Sequence, residues 1–251
     1  MQDEKLAIDG GTPVRSGGWK ARWPIFGDLE RKLILEVLES GNWGGIFEVG
    51  SMTGKLPQME RKFAELQNVR HAIGLVNGTV AITVALQAAG VKPGDEVIVP
   101  PYTFIATASA PLAFGAIPVF VDVEEDTLLI DPEKIEQAIT PRTKAIVPVH
   151  IAGGPANMTR IMEIARKHGL IVVEDAAQAV GAKWDGQSVG SIGDLGTFSL
   201  QSSKNLNAGE GGIITTNNSE YWEQAWSLIN VGRVPGGAWY QHERIGQNYR
   251  L

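Results

Sequence analysis

Short apolar runs that alternate with helical patterns narrow the folds open to this chain more than any other feature. "AIGLV" (72–76) leads into "GTVAITVALQAAG", "EVIVP" into "TFIATASAPLAF", "IPVFVDV" through a loop into "DPEKIEQAI", and "KAIVPVH" into "NMTRIMEIARKHG"; "LIVVED" then follows. The runs are apolar on consecutive residues, the pattern of strands buried on both faces. The expected fold class is therefore α/β, a mostly parallel sheet with helices on both faces. Punctuation agrees: "KPGDE" separates a helix from a strand, and Gly169 in "KHGL" stands where a helix ends. Pro111 conflicts with a long helix after Tyr102, since it removes a backbone hydrogen bond at a cost of about 3 kcal/mol, so a bent or early-ending helix is expected there. The uncharged stretch Pro100 to Val121 is broken by Pro111, Gly115 and Pro118 and predicts a helix and a short buried strand, not a membrane span.

With 251 residues, 43% of them hydrophobic, the chain can bury the core of one large domain. A formal charge of -6 without a run of like charges speaks against nucleic acid and membrane surfaces as partners. The absence of cysteine excludes thiol catalysis and thiolate metal sites and fits a reducing compartment; no metal site is expected. The N-terminus carries charges and glycines where a signal peptide needs an apolar segment, which makes the expected location cytoplasmic. The glycine-rich stretch from Gly41 to Gly54 predicts a loop between helices near Asp28 to Glu39 and Pro57 to Gln67.

In open parallel sheets ligands bind beyond the carboxyl ends of the strands, so the residues just after each apolar run carry the functional question. Asn77-Gly78-Thr79 opens a helix after "AIGLV", where backbone N–H groups and a hydroxyl suit a phosphate, although the same residues also suit a plain helix cap. Asp175 follows "LIVVE", and an acid at a strand end is ordinarily a cap as well. Ser199 ends "GTFSL", and five residues on stands Lys204, in a position where a lysine is ordinarily a solvated surface charge. Taken together, these groups meet the needs of pyridoxal 5′-phosphate: a phosphate cradle, a carboxylate for the ring nitrogen and a lysine amine for its aldehyde.

The order of these motifs also resembles a known family. "EDAAQAVGA" followed by "GDLGTFSLQSSKNLNAGEGG", together with "NGTVAI", "PYTFIATASA", "PVFVDV", "PVHIAG" and "GQNYRL", is similar to the DegT/DnrJ-type aminotransferases, fold type I pyridoxal-phosphate enzymes. The resemblance implies an aspartate-aminotransferase-like large domain over 28–251, preceded by an N-terminal arm over 1–27. It implies that Lys204 and Asp175 are catalytic, Lys204 linking to the cofactor and shuttling a proton, and Asp175 pairing with the pyridine nitrogen. Gln178 would contact the ring hydroxyl, Phe104 would lie against the ring face, and Gly78, Thr79 and Ser199 would hold the phosphate. Asn248, in the "NYR" motif, would reach the cofactor phosphate of a neighbouring subunit, implying a homodimer with shared sites.

His150, at the end of "IVPVH", stays open between a group near the substrate and a satisfied strand-end histidine; Glu210 stays open between orienting the lysine loop and solvation. Family members with histidine at the lysine position are sugar dehydratases, so Lys204 favours transamination. "LAIDGGTPVR", "VLESGNWGG" and Gln201 look more like the branch acting on keto-cyclitols than the branch for nucleotide-linked keto-sugars. The expected reaction moves an amino group from glutamine or glutamate to a keto-cyclitol or keto-sugar. Family members run past "NYRL" into a smaller domain, so that domain is expected to be missing here, and a non-catalytic or partner-dependent cofactor-binding module is the alternative. No Gly-x-Gly-x-x-Gly follows a strand, which sets a nicotinamide enzyme aside.

Overall fold

The computed structural model describes residues 5–15, 17, 23–43, 54–238 and 240–251. Seven strands form its main sheet: β1 (His71–Leu75), β2 (Glu96–Val99), β3 (Ile117–Phe120), β4 (Thr143–Ile146), β5 (Ile171–Asp175), β8 (Leu195–Ser199) and β9 (Gly212–Thr216). Between β5 and β8, β6 (Lys183–Trp184) and β7 (Gln187–Ser188) make a small hairpin. Its turn is Asp185-Gly186, both at positive φ, as a two-residue hairpin connection requires. The order in the main sheet is β1-β9-β8-β5-β4-β2-β3. β9 is antiparallel to both its neighbours and every other pairing is parallel, so the sheet is mostly parallel, as expected.

Helices cover both faces because successive strand residues are apolar and point opposite ways. On one face Val97, Val99, Val147, Val173 and Ile214 pack against α3 (Gly78–Ala88), α4 (Ala106–Leu112) and α7 (Ser219–Ile229). On the other, Ile98, Ile146 and Val172 pack against α5 (Pro132–Ala138) and α6 (Met158–His168), and Ala72, Phe198 and Ile213 against α2 (Lys55–Gln67). Side-chain caps start several of these helices: Asn77 accepts from Val80 N–H (2.9 Å), Asp131 from Glu133 (3.0 Å), Asn157 from Arg160 (3.1 Å) and Asn218 from Glu220 (2.8 Å). Gly169 closes α6 in the left-handed conformation. α4 ends one residue past Pro111, the early ending that the proline imposes.

The segment before Val121 needs a correction. β3 is not buried: it is the sheet's outer strand, and Ile117 and Phe120 are exposed. Pro118, which cannot donate to a ladder, is tolerated because only one side of this strand is paired. At the N-terminal side, α1 (Asp28–Ser40) buries none of its residues. Most of the Gly41 to Gly54 loop, residues 44–53, lies outside the described residues. The C-terminal residues return to β1: Arg250 bridges Leu75, Val76 N–H donates to Tyr249 O (3.0 Å), and Asn248 bridges Asn230. Among the described residues no helix is long and apolar enough to cross a membrane.

Candidate functional site

A cavity of about 670 Å³, within the usual range for small-molecule sites, opens at the carboxyl ends of β1, β5 and β8. Gly78, Thr79, Phe104, Asp175, Gln178, Ser199 and Lys204 all line it, although they come from points spread along the chain. The reversal of β9 makes this possible. A hairpin connection, residues 200–211, returns at the same end of the sheet and carries Lys204 over the cavity.

One end of the cavity is the start of α3. Asn77, not Thr79, caps the helix, so Thr79 stands exposed toward the cavity with the first-turn backbone behind it. Gly78 has a further reason to be glycine: a Cβ there would lie 2.8 Å from Ser199 Cβ, so a side chain would push α3 away from β8. Ser199 is buried beside it.

Asp175 occupies the floor of the cavity and is 6% exposed. No helix follows it, so it is not a cap. Its Oδ2 accepts the Thr107 hydroxyl at 2.7 Å and its Oδ1 the Ala177 N–H at 3.2 Å. Burial pushes the Asp175 carboxyl above the ordinary range, while these two hydrogen bonds pull it back toward the charged form. Lys204 is half-buried, its backbone held by the Gln201 carbonyl (2.9 Å), and the Trp23 indole N–H donates to Ser202 O (2.7 Å) in the same connection.

Phe104 is not on a helix face: it precedes α4 and is 63% exposed, an aromatic ring at the cavity wall outside the core. Gln178 Oε1 accepts the Ala152 N–H (2.8 Å), which commits its carbonyl end and leaves the amide nitrogen as the donor for a ligand oxygen. Asn248 does not line this cavity. Glu210 lines it and is exposed. His150 is fully buried: Nδ1 accepts the Ala156 N–H (3.1 Å), so Nε2 carries the proton and donates to Glu174 (2.9 Å). It is a satisfied histidine.

A second cavity of about 740 Å³ lies between α1 and α2 and is lined mainly by Leu33, Leu38, Trp43, Met59 and Phe63, with no carboxylate among the described residues. Size alone would favour it; the convergence of acid, amine and hydroxyls favours the first. Among the described residues no cluster of His, Cys, Asp or Glu could hold a metal. The donor set of the first cavity fits pyridoxal phosphate: a helix start with a serine and a threonine, a buried carboxylate, an aromatic wall and a lysine.

The sequence model described as the DegT/DnrJ/EryC1/StrS aminotransferase family matches residues 27–251. The chain belongs to this family. Among curated members, L-glutamine:2-deoxy-scyllo-inosose aminotransferase of Streptomyces kanamyceticus is 43% identical over 216 residues, covering 86% of this chain and 50% of that protein. UDP-N-acetyl-3-dehydro-alpha-D-glucosamine 3-aminotransferase of Acidithiobacillus ferrooxidans is 50% identical over 196 residues, covering 77% and 52%. The crystal structure of NtdA from Bacillus subtilis with bound cofactor PMP superposes with a TM-score of 0.80 at 34% identity, over 90% of this chain and 51% of that one. The chain thus spans about half the length of the curated relatives it matches.

Motif reading in this DegT/DnrJ family site did not single out Thr103 and Ser203, which line the cavity, or Thr107, which bonds Asp175 beneath it. For Thr103 and Thr107 the spacing of four in "YTFIATA" was the available signal, since residues so spaced share a side in a helical pattern; in the structure α4 begins at Ala106 and Thr103 stands just before it. What ties them to Asp175 is a contact across 68 residues of sequence.

Proposed function

We propose that this chain is the cofactor-binding part of a pyridoxal-phosphate-dependent aminotransferase that transfers an amino group from glutamine or glutamate to a keto-cyclitol or keto-sugar. The observation that carries the reading is the convergence of Lys204, Asp175 and the start of α3 on one cavity. When bound, pyridoxal phosphate supplies an electron sink for negative charge at the substrate carbon that bears the nitrogen. The chain's own residues do the rest. Asp175 holds the ring-nitrogen proton, and the Lys204 amine carries the proton to and from the substrate carbon. Thr79, Ser199 and Gly78 bind the phosphate, Phe104 covers one ring face and excludes water, and the Gln178 amide orients the ring hydroxyl.

Substrate class rests on the relatives: one is named for L-glutamine and a scyllo-inosose, another for a UDP-linked 3-dehydro-sugar. Together with Gln201 in the lysine loop, these names support a cyclic ketone as acceptor, and the first of them supports glutamine as donor. The reading extends to a cytoplasmic homodimer with shared sites, in which Asn248 serves the neighbouring subunit. In support, Asn248 does not line its own cavity, and α1 exposes Leu29, Ile34, Leu35 and Leu38. The coverage of about half of each relative favours a second reading, that this chain binds cofactor but turns over only with the remainder of such a protein.

Spectroscopy, borohydride reduction and peptide mapping of the purified chain with added pyridoxal phosphate test the first step. The expected result is a visible absorption band and a label on Lys204. A label on another lysine overturns the assignment. Assay with L-glutamine and a panel of cyclic ketones then separates the two readings, because the second predicts cofactor fixed on Lys204 without turnover.

A further inference from the structure

Asp175 can act on a ring nitrogen only as an anion, yet it sits where burial disfavours the anion. Two donors oppose that burial. One is the backbone N–H of Ala177, which any variant retains; the other is the side chain of Thr107. Thr107 is 0% exposed and lies in the first turn of α4, so its hydroxyl has no water to fall back on. A hydroxyl has one proton to donate, and an ionised carboxylate can only accept. The 2.7 Å contact with Oδ2 therefore consumes the Thr107 proton. The neighbouring 2.8 Å contact with Thr103 Oγ1 must then run the other way, with Thr103 donating and Thr107 accepting.

We infer that Thr107, supported by Thr103, is a positioning residue: the directed chain from Thr103 through Thr107 to Asp175 keeps this carboxylate ionised and fixes the oxygen it presents to the cavity. The chain's direction is tied to the charge it protects. A protonated Asp175 would itself have a proton to give, and the two threonine hydroxyls would lose the reason for their orientation. Cooperative polarisation along such a chain strengthens its last bond beyond that of an isolated hydroxyl. The cation whose charge acts at Asp175 is Lys204, across the cavity; His150, with Nδ1 accepting, is a neutral ring bound to Glu174 behind it. Neither makes a hydrogen bond to its carboxylate among the described residues, so Thr107 is the side chain that decides. This role in catalysis rests on the pyridoxal-phosphate reading above; the effect on the carboxylate does not.

The experiment has two arms. In the cofactor-free protein, carboxyl-labelled aspartate followed by 13C NMR gives the titration midpoint of Asp175, assigned by its loss in Asp175→Asn. Thr107→Val, close in shape but without a hydroxyl, should raise the midpoint by about one unit. Thr103→Val should raise it by less, and Thr107→Ser, which keeps the donor, should titrate as the unsubstituted protein does. An unchanged midpoint in a folded Thr107→Val overturns the inference, as does an unchanged midpoint in Thr103→Val should the first variant not fold. In the holoprotein, 15N NMR of cofactor labelled at the pyridine nitrogen should move toward the unprotonated position in Thr107→Val and return in Thr107→Ser. A shifted midpoint without any change at the ring nitrogen upholds the hydroxyl chain and counts against the cofactor reading instead.

Discussion

At the residue scale, a buried and a half-buried carboxyl show how environment separates chemistry from structure. Asp175 faces a cavity and receives a hydroxyl; Glu60, on α2, lies under β1, where its Oε1 accepts the Gly74 N–H at 2.8 Å. Burial pushes the Glu60 carboxyl up to about 7, against the opposing pull of the Gly74 bond and the Arg61 charge. The folded state therefore binds this proton more tightly than the unfolded chain, whose carboxyl titrates near 4.5. Below that pH both states are protonated and Glu60 contributes no slope. Between about 4.5 and 7 the unfolded state loses the proton first, so stability falls as pH rises, and the loss is complete above about 7. Glu60→Gln keeps an acceptor for Gly74 and removes the titration. Its urea midpoint should match the unsubstituted protein at pH 4 and exceed it at pH 8; a difference that does not change with pH would contradict the assignment. Neither Glu60 nor Thr107 was legible in the sequence, because each owes its property to a partner on another element. Lys204 and Asp175 were legible, because their residue types stand directly after strands and their order matches one cofactor's needs.

At the scale of elements, the strands could be read wherever both faces are covered, since continuous apolar runs have no other simple explanation. β3 has the same composition and a different fate. Nothing in "IPVF" records that no strand follows it on the outer side, so its exposure was invisible until the order was known. The direction of β9 was equally hidden, although the hairpin it forms is what brings Lys204 to the cavity. A turn between β7 and β8 shows how closely such connections are held. Glu174, fully buried on β5 beside Asp175, accepts N–H groups from Gly190, Ile192 and Gly193, each at 2.7 Å, as well as the His150 ring. Gly190 has φ 83, and a Cβ there would overlap the Phe198 ring. Gly190→Ala should therefore cost about 3 kcal/mol, adding overpacking to left-handed strain. Gly186→Ala, at φ 81 in open space, carries only the strain and should cost about 1 kcal/mol. Denaturant unfolding of the two variants side by side decides the matter, and equal losses would show that Phe198 gives way freely.

At the scale of the whole molecule, the proposed homodimer would use surfaces that the single chain leaves uncovered. α1 buries no residue, an apolar cavity runs between α1 and α2, and the C-terminal residues carrying Asn248 lie along β1 without entering the cofactor cavity. A two-fold axis places equivalent surfaces opposite each other, so a residue outside its own site can complete its partner's. On that reading Asn248→Ala should weaken cofactor retention while leaving Lys204 able to be labelled at high cofactor concentration. Lys204→Ala should abolish labelling at any concentration. Subunits of the two variants, unfolded together and refolded, form some heterodimers in which one site has its own lysine and the partner's asparagine. At a cofactor concentration that leaves the Asn248→Ala protein largely unlabelled, the refolded mixture should recover borohydride-fixed cofactor on Lys204. Recovery requires contact between two chains, because no single chain in the mixture holds both groups. A mixture that recovers nothing, or sedimentation showing a monomer that retains cofactor normally, would return Asn248 to a local role beside Asn230 and β1.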